Sequence, residues 1–183
     1  MRRAIVACGA LALDVQRIAR RRGWEVEVVP VPALLHNRPE RIRAAVDAAR
    51  AGREVAAVAY GDCGTAGALD DLPRLKAGSC HELLARDEVR AALEREPGTY
   101  LLTDFLARTF ERTVWRELGL DRWPELRDVY FRHYRRVLWL AQRPTPATRR
   151  CAERAAERLG LPLETLLVGT DELERQLQEL LGS

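Results

Sequence analysis

Short apolar runs separated by helical stretches constrain this chain more than any other feature. "AIVAC" (4–8), "EVEVVPV" (25–31), "EVAAVAY" (54–60), "TYLLT" (99–103), "RRVLWLAQ" (135–142) and "LETLLVG" (163–169) have strand length and are mostly followed by glycine, proline or a capping residue. Strands that alternate with helices in this way pack as a parallel α/β sheet.

The intervening stretches carry helix punctuation. "LALDVQRIARRRG" stops at Gly23, a good C-terminal cap, and "HNRPERIRAAVDAARAG" starts near Pro39, puts Ile42, Ala45, Val46 and Ala49 on one face, and ends at Gly52. A helix is expected from about His81, and another after residue 103 with Leu106, Phe110, Val114 and Leu118 at spacings of four. "PELRDVYFRHY" reads as helical, and a further helix begins at about Pro146. Thr170 or Asp171 caps a terminal helix whose core stripe is Leu173, Leu177, Leu180 and Leu181.

With a short strand at 73–77 the count is six or seven, so the expected fold is α/β: a doubly wound, mostly parallel sheet with helices on both faces. No linker rich in glycine and serine divides it. A single α/β domain over 1–183 is expected, with two pseudo-repeated lobes of about 1–95 and 96–183 as the alternative.

Thirty basic residues stand against 27 acidic ones, a net charge of +3, and all but one of the basic residues are arginine. So small and distributed an excess gives no reason to expect nucleic acid or a membrane as partner. Runs such as "RIARRRG" read as solvated faces whose arginine stems cover apolar surface. "MRRAIVACGALALDV" reaches Asp14 after a short apolar run and passes into an amphipathic pattern, so neither a signal peptide nor a membrane span is expected. The expected location is the cytoplasm, where the four cysteines remain thiols.

Loops at the carboxyl ends of parallel strands share one edge of the sheet, and ligands bind there. Cys8 ends the first strand, Cys63 lies in "YGDCGTAGALD" after the third, and Cys80 precedes the helix that follows the expected short strand. His36, Asn37, Thr103 and Asp104 belong to the same expected edge. Cys151 sits inside a helix and reads as a structural thiol, and His133 reads as a surface or interface residue.

Three thiolates in one crevice suit zinc or an iron–sulfur cluster with one iron left open. The plain alternative is that small thiols pack where strands meet helices. A nucleophilic Cys63 is a further reading, since a helix amino terminus lowers a thiol's pKa; Asp62 opposes it, and His36 or His81 is the base that would be needed. His36, Asp62 and Asp104 are the catalytic candidates. Gly61, Gly64 and Thr65 are the cofactor-binding candidates, because backbone amides of "GDCGTAG" can cradle an anion, although the loop lacks the lysine and spacing of a P-loop.

"ACGAL", "LLHNRPERI", "YGDCGTAGALD", "GSCHELL", "GTYLLTDFLARTF" and "GLDRWPELRDVYFRHYRRVLWLAQ", in this order, resemble the prokaryotic domain-of-unknown-function family 1638 over almost the whole chain. The resemblance implies cysteines at Cys8, Cys63 and Cys80, a histidine at His36, and an association of some members with corrinoid-dependent methyl transfer. It implies no particular reaction. The chain departs from the family pattern at Cys80-His81-Glu82, where Cys-Tyr-Glu is expected.

The leading expectation is therefore a cytoplasmic metal-binding protein with Cys8, Cys63 and Cys80 as ligands and His36 as fourth ligand or substrate contact, holding a 4Fe-4S iron–sulfur cluster or, alternatively, zinc, and serving methyl-transfer or one-carbon and sulfur metabolism. Alternatives are a metal-free accessory or small-molecule-binding protein and a thiol enzyme. The expected partners are a small-molecule substrate, a methyltransferase or corrinoid protein, and a second copy in a homodimer. "DRWPELRDVYFRHYRRVLWL" has the aromatic and arginine content of an interface.

Overall fold

The computed structural model describes residues 3–182. In chain order the elements are β1 (Arg3–Cys8), α1 (Ala12–Arg22), β2 (Val26–Val31), α2 (Ile42–Arg50), β3 (Glu54–Ala59), α3 (Glu82–Arg95), β4 (Thr99–Thr103), α4 (Asp104–Phe110), α5 (Leu126–Tyr130), β5 (Arg136–Ala141), α6 (Pro146–Leu159), β6 (Leu163–Leu167) and α7 (Asp171–Leu181). They fall into two units. Unit 1 runs to Leu84 and resumes at Thr170; unit 2 is Ala85–Gly169. The backbone of α3 breaks at Ala85, where this division lies.

In unit 1 the strands are parallel in the order β2-β1-β3. The central strand is buried from Ala4 to Cys8, so its residues are apolar without alternation, as a strand covered on both faces requires. Gly23 ends α1 in the left-handed conformation, φ 66°, and its N–H caps the last carbonyls. The terminal helix returns to this unit: Leu173, Leu177 and Leu181 join the core of Ile5, Val15 and Val58. Glu174 of that helix pairs with Arg21 and Arg22 of α1.

In unit 2 the parallel order is β4-β5-β6. Both crossovers move the same way, so α4 and α6 share a face and a core built on Trp139, Phe110 and Ala152. Ala85, Val89 and Ala92 of α3 pack with Leu138 and Leu140. Pro146 opens α6 behind a capping box formed by Thr145 and Thr148.

The α/β class holds, but among the described residues the strands form two parallel sheets of three and not the single doubly wound sheet of six or seven. The reason lies beside β3. The stretch expected as a strand at 73–77 makes only one bridge, Val58 to Arg74, and its remaining bonds to β3 come from the irregular pairings of Val58 with Pro73 and Leu75. Pro73 has no N–H to extend a ladder, so this segment occupies the edge of β3 without continuing the sheet. "PELRDVYFRHY" is helical only over Leu126–Tyr130, and the spacing of four after residue 103 hides a π-helical turn at Glu111–Trp115.

Candidate thiol and imidazole site

The chain leaves β1 for β2 on one side, then crosses over to β3 on the other. The carboxyl ends of β1 and β3 therefore mark the point where strand order reverses, the usual place for a ligand crevice in such sheets. Cys8 ends β1, and Tyr60 leads out of β3 into the glycine-rich loop.

That loop is held in an unusual conformation. Cys63 and Ala66 both have φ 50°, beside Gly64 at 83° and Gly67 at 82°. A left-handed non-glycine residue costs about 1–2 kcal/mol and persists only where its surroundings enforce it. Here the enforcing group is Asp62, whose Oδ1 accepts from the Thr65 hydroxyl and the Gly67 N–H, each at 2.9 Å. These bonds, with that from Gly67 foremost and one from the Gly64 amide, hold the Asp62 carboxyl below its usual range. Of the loop amides expected to cradle a ligand anion, that of Gly64 serves the Asp62 carboxylate and that of Thr65 donates to the Asp62 backbone carbonyl at 2.9 Å.

The amides of Asp62 and Cys63 donate to Ala77 and Gly78 at 2.8 and 2.9 Å, which draws residues 77–80 along the loop. A Cβ on Gly61 would stand 3.1 Å from the Ala77 oxygen and 3.4 Å from the Cys63 sulfur, so this close approach calls for glycine.

The three strand-edge thiols face one another's fields. Burial first, and then the neighbouring thiols, push Cys63 up to about 11 and Cys80 up to about 12. Burial likewise raises Cys8, whose sulfur is approached by the Ala10 and Leu11 amides. Amide donors oppose the effect at each sulfur but do not reverse it, so all three are neutral thiols at pH 7. The reading of Cys63 as an activated nucleophile is corrected on this ground: desolvation, Cys8 and Asp62 all disfavour its thiolate.

The metal-binding reading is corrected as well. Among the described residues no group of three or more histidine, cysteine, aspartate or glutamate side chains is arranged to hold a metal ion. Cys8, Cys63 and Cys80 lie near enough to perturb one another without closing to a common coordination sphere.

What the edge does assemble is a set of unpartnered polar atoms. The His36 ring stacks on Tyr60 with centroids 5.7 Å apart, and its Nδ1 donates to the Ala33 carbonyl at 2.7 Å. In the tautomer that donates from Nδ1, Nε2 is the acceptor. His36 Nε2, the Tyr60 hydroxyl and His81 Nε2 are all shut from solvent without a hydrogen-bond partner. The Tyr60 hydroxyl approaches Cys8 without a hydrogen bond of ordinary geometry, and burial holds its pKa above the usual range. Burial, then the nearby His36, pushes His81 down to about 4.

Tyr60 was hidden in the sequence as the last residue of an apolar run, and His81 as a plausible helix opener. The signal for Tyr60 was its hydroxyl, the one polar side-chain group in "VAAVAY".

Asp104 belongs to unit 2, not to the unit of the thiols. Its Oδ1 accepts from Trp139 Nε1 and its Oδ2 from the Arg143 amide, each at 2.9 Å. Cys151 also lies in unit 2, where Arg154 donates to its sulfur at 3.2 Å. His133 is exposed, with Arg132 donating to its Nε2.

A family model described as "Protein of unknown function (DUF1638)" matches residues 30–177, most of the chain. The chain belongs to the DUF1638 family. The match takes in His36, Tyr60, Cys63, Cys80 and His81, whereas Cys8 precedes it. No curated protein and no solved structure matches this DUF1638 chain. Among its described residues no helix is long and apolar enough to cross a membrane.

Proposed function

We propose that this DUF1638 protein binds a small, uncharged polar molecule at the carboxyl ends of β1 and β3. The observation that carries the reading is a set of three buried, unpartnered polar atoms, His36 Nε2, the Tyr60 hydroxyl and His81 Nε2, on residues of which His36 stacks on Tyr60 and lies near enough to perturb His81. Each such atom costs about 1–3 kcal/mol while it stays unpaired. A ligand that donates to His36 and accepts from Tyr60 recovers part of that cost on binding. Protonated thiols and a neutral His81 give the site no charge to match, so an amide or hydroxyl head group suits it better than a carboxylate or phosphate. Gly64 is exposed next to the half-buried Cys63, which makes it the side from which a ligand would enter.

Acetamide and glycerol, titrated into isotopically labelled protein, test this reading. Saturable shifts of the Cys63, Gly64 and Cys80 amide resonances are expected, with affinity at least fivefold weaker in Tyr60→Phe. If neither probe gives a saturable shift at these amides, the reading fails.

A further inference from the structure

Unit 2 contains a cleft of about 690 Å³ between α4, with the π-helical turn that follows it, and α6. Its volume is in the range that small-molecule sites occupy. Arg108 and Arg112 come from one wall, Arg154 and Arg158 from the other. The spacing of four sets each pair on one helix face, and the shared core of Ala107, Phe110 and Ala155 fixes the walls relative to each other.

Elsewhere the guanidinium groups repeatedly meet carboxylates, as with Arg43 and Asp71, Arg136 and Glu164, and Arg175 and Glu172. In the cleft only Arg158 does so: it forks onto Glu111 at 2.8 and 3.2 Å and lies 4.4 Å over the Trp115 ring. Arg154 reaches the Cys151 sulfur, and no carboxylate lies within ion-pair distance of Arg108, Arg112 or Arg154 among the described residues. Three cations without acidic partners thus face one volume from two sides.

We propose that this cleft is a binding site for a small phosphorylated molecule. A phosphoryl group offers oxygens in several directions to guanidinium forks arriving from two walls, whereas a planar carboxylate engages a single fork. Glu111 competes for Arg158 and so limits the affinity.

Calorimetric titration at low salt tests the proposal, with pyrophosphate as probe and citrate as the carboxylate comparison. Pyrophosphate is expected to bind saturably and at least tenfold more tightly than citrate. Each of Arg108→Gln, Arg112→Gln and Arg154→Gln is expected to weaken it by about tenfold, the scale of one charge-assisted contact. Glu111→Gln is expected to tighten it by freeing Arg158. Arg95→Gln, outside the cleft, should leave the dissociation constant within twofold, and so should Tyr60→Phe. All these side chains except Tyr60 are exposed, so the fold should be retained, which circular dichroism checks. No pyrophosphate binding, equal binding of citrate, or equal losses from Arg95→Gln and the cleft variants would each overturn the proposal.

Discussion

The two sheets of this protein have the same number of parallel strands, yet their carboxyl edges differ in kind. In unit 1 the order β2-β1-β3 reverses about β1; in unit 2 the order β4-β5-β6 runs one way. A reversal sends successive crossovers to opposite faces and parts the chain at the strand ends, whereas a one-way order keeps both crossovers together. The polar groups follow this difference. At the edge of unit 2 the chain satisfies its own atoms: Thr103 caps α4, Asp104 binds Trp139 and Arg143, and Gln142 accepts from the Asp104 amide. At the edge of unit 1, His36, Tyr60 and His81 each retain a buried atom with no partner. Strand-end polar residues are thus structural in one sheet and available to a ligand in the other.

The largest effect expected from breaking this contrast is in unit 2. Asp104→Ala leaves the buried Trp139 N–H and the Arg143 amide without their acceptor and should destabilise the fold by about 3 kcal/mol in urea denaturation. A loss below about 1 kcal/mol would mean that this edge is not held by its internal bonds.

Alkaline pH acts on unit 1. An unfolded thiol ionises near 9.0, but Cys63 and Cys80 keep their protons to about 11 and about 12 in the fold. The folded state binds more protons in this window, so stability is full below pH 9 and falls as pH rises through the folded values. By about pH 10.5 the expected loss attributable to Cys80 is about 2 kcal/mol. Denaturation midpoints measured on either side of pH 9 should converge in Cys80→Ser; an unchanged slope in that variant would place the effect elsewhere.

Acid acts on His81 with the opposite sense. Its folded value of about 4 lies below the ordinary 6.5, so the unfolded chain binds the extra proton and stability declines as pH drops below 6.5. At about pH 5.5 the expected decline is about 1.5 kcal/mol. His81→Asn should remove that part of the acid slope, and retention of the full slope would show that the ring is solvated in the fold.

The reach of sequence reading follows the same line between local and distant information. Gly23, Pro146 and the strand "AIVAC" were legible because capping, fixed φ and burial on both faces are properties of a few adjacent residues. Cys8 and Cys63 were legible as neighbours because they lie at or just after the ends of adjacent strands, whereas Cys80 comes beside them through the pairing of 77 and 78 with the loop rather than from a strand of its own. Sheet membership was not, since nothing in "TYLLT" states which strand it pairs with, and Asp104 was therefore placed on an edge that its unit does not share. Nor was the direction of the Asp62 carboxylate, which turns into its own loop to meet Thr65 and Gly67. The sequence shows three thiols at one edge; whether three sulfurs converge within ligand distance depends on loop conformations no motif encodes.

The smallest effect discriminates best, because its sign is the test. Tyr60→Phe keeps the ring, its stacking on His36 and its place in the core, and removes only a desolvated hydroxyl with no partner. Deleting a satisfied hydroxyl destabilises, whereas deleting an unsatisfied one relieves a penalty, so the ligand-free protein should gain about 1 kcal/mol. For a chain of this length that is a rise in Tm of about 3 °C. The same substitution should weaken the binding of acetamide, so stability and affinity move in opposite directions. A fall in Tm would show that the hydroxyl is satisfied within the fold, and the edge of unit 1 would then be as self-contained as that of unit 2.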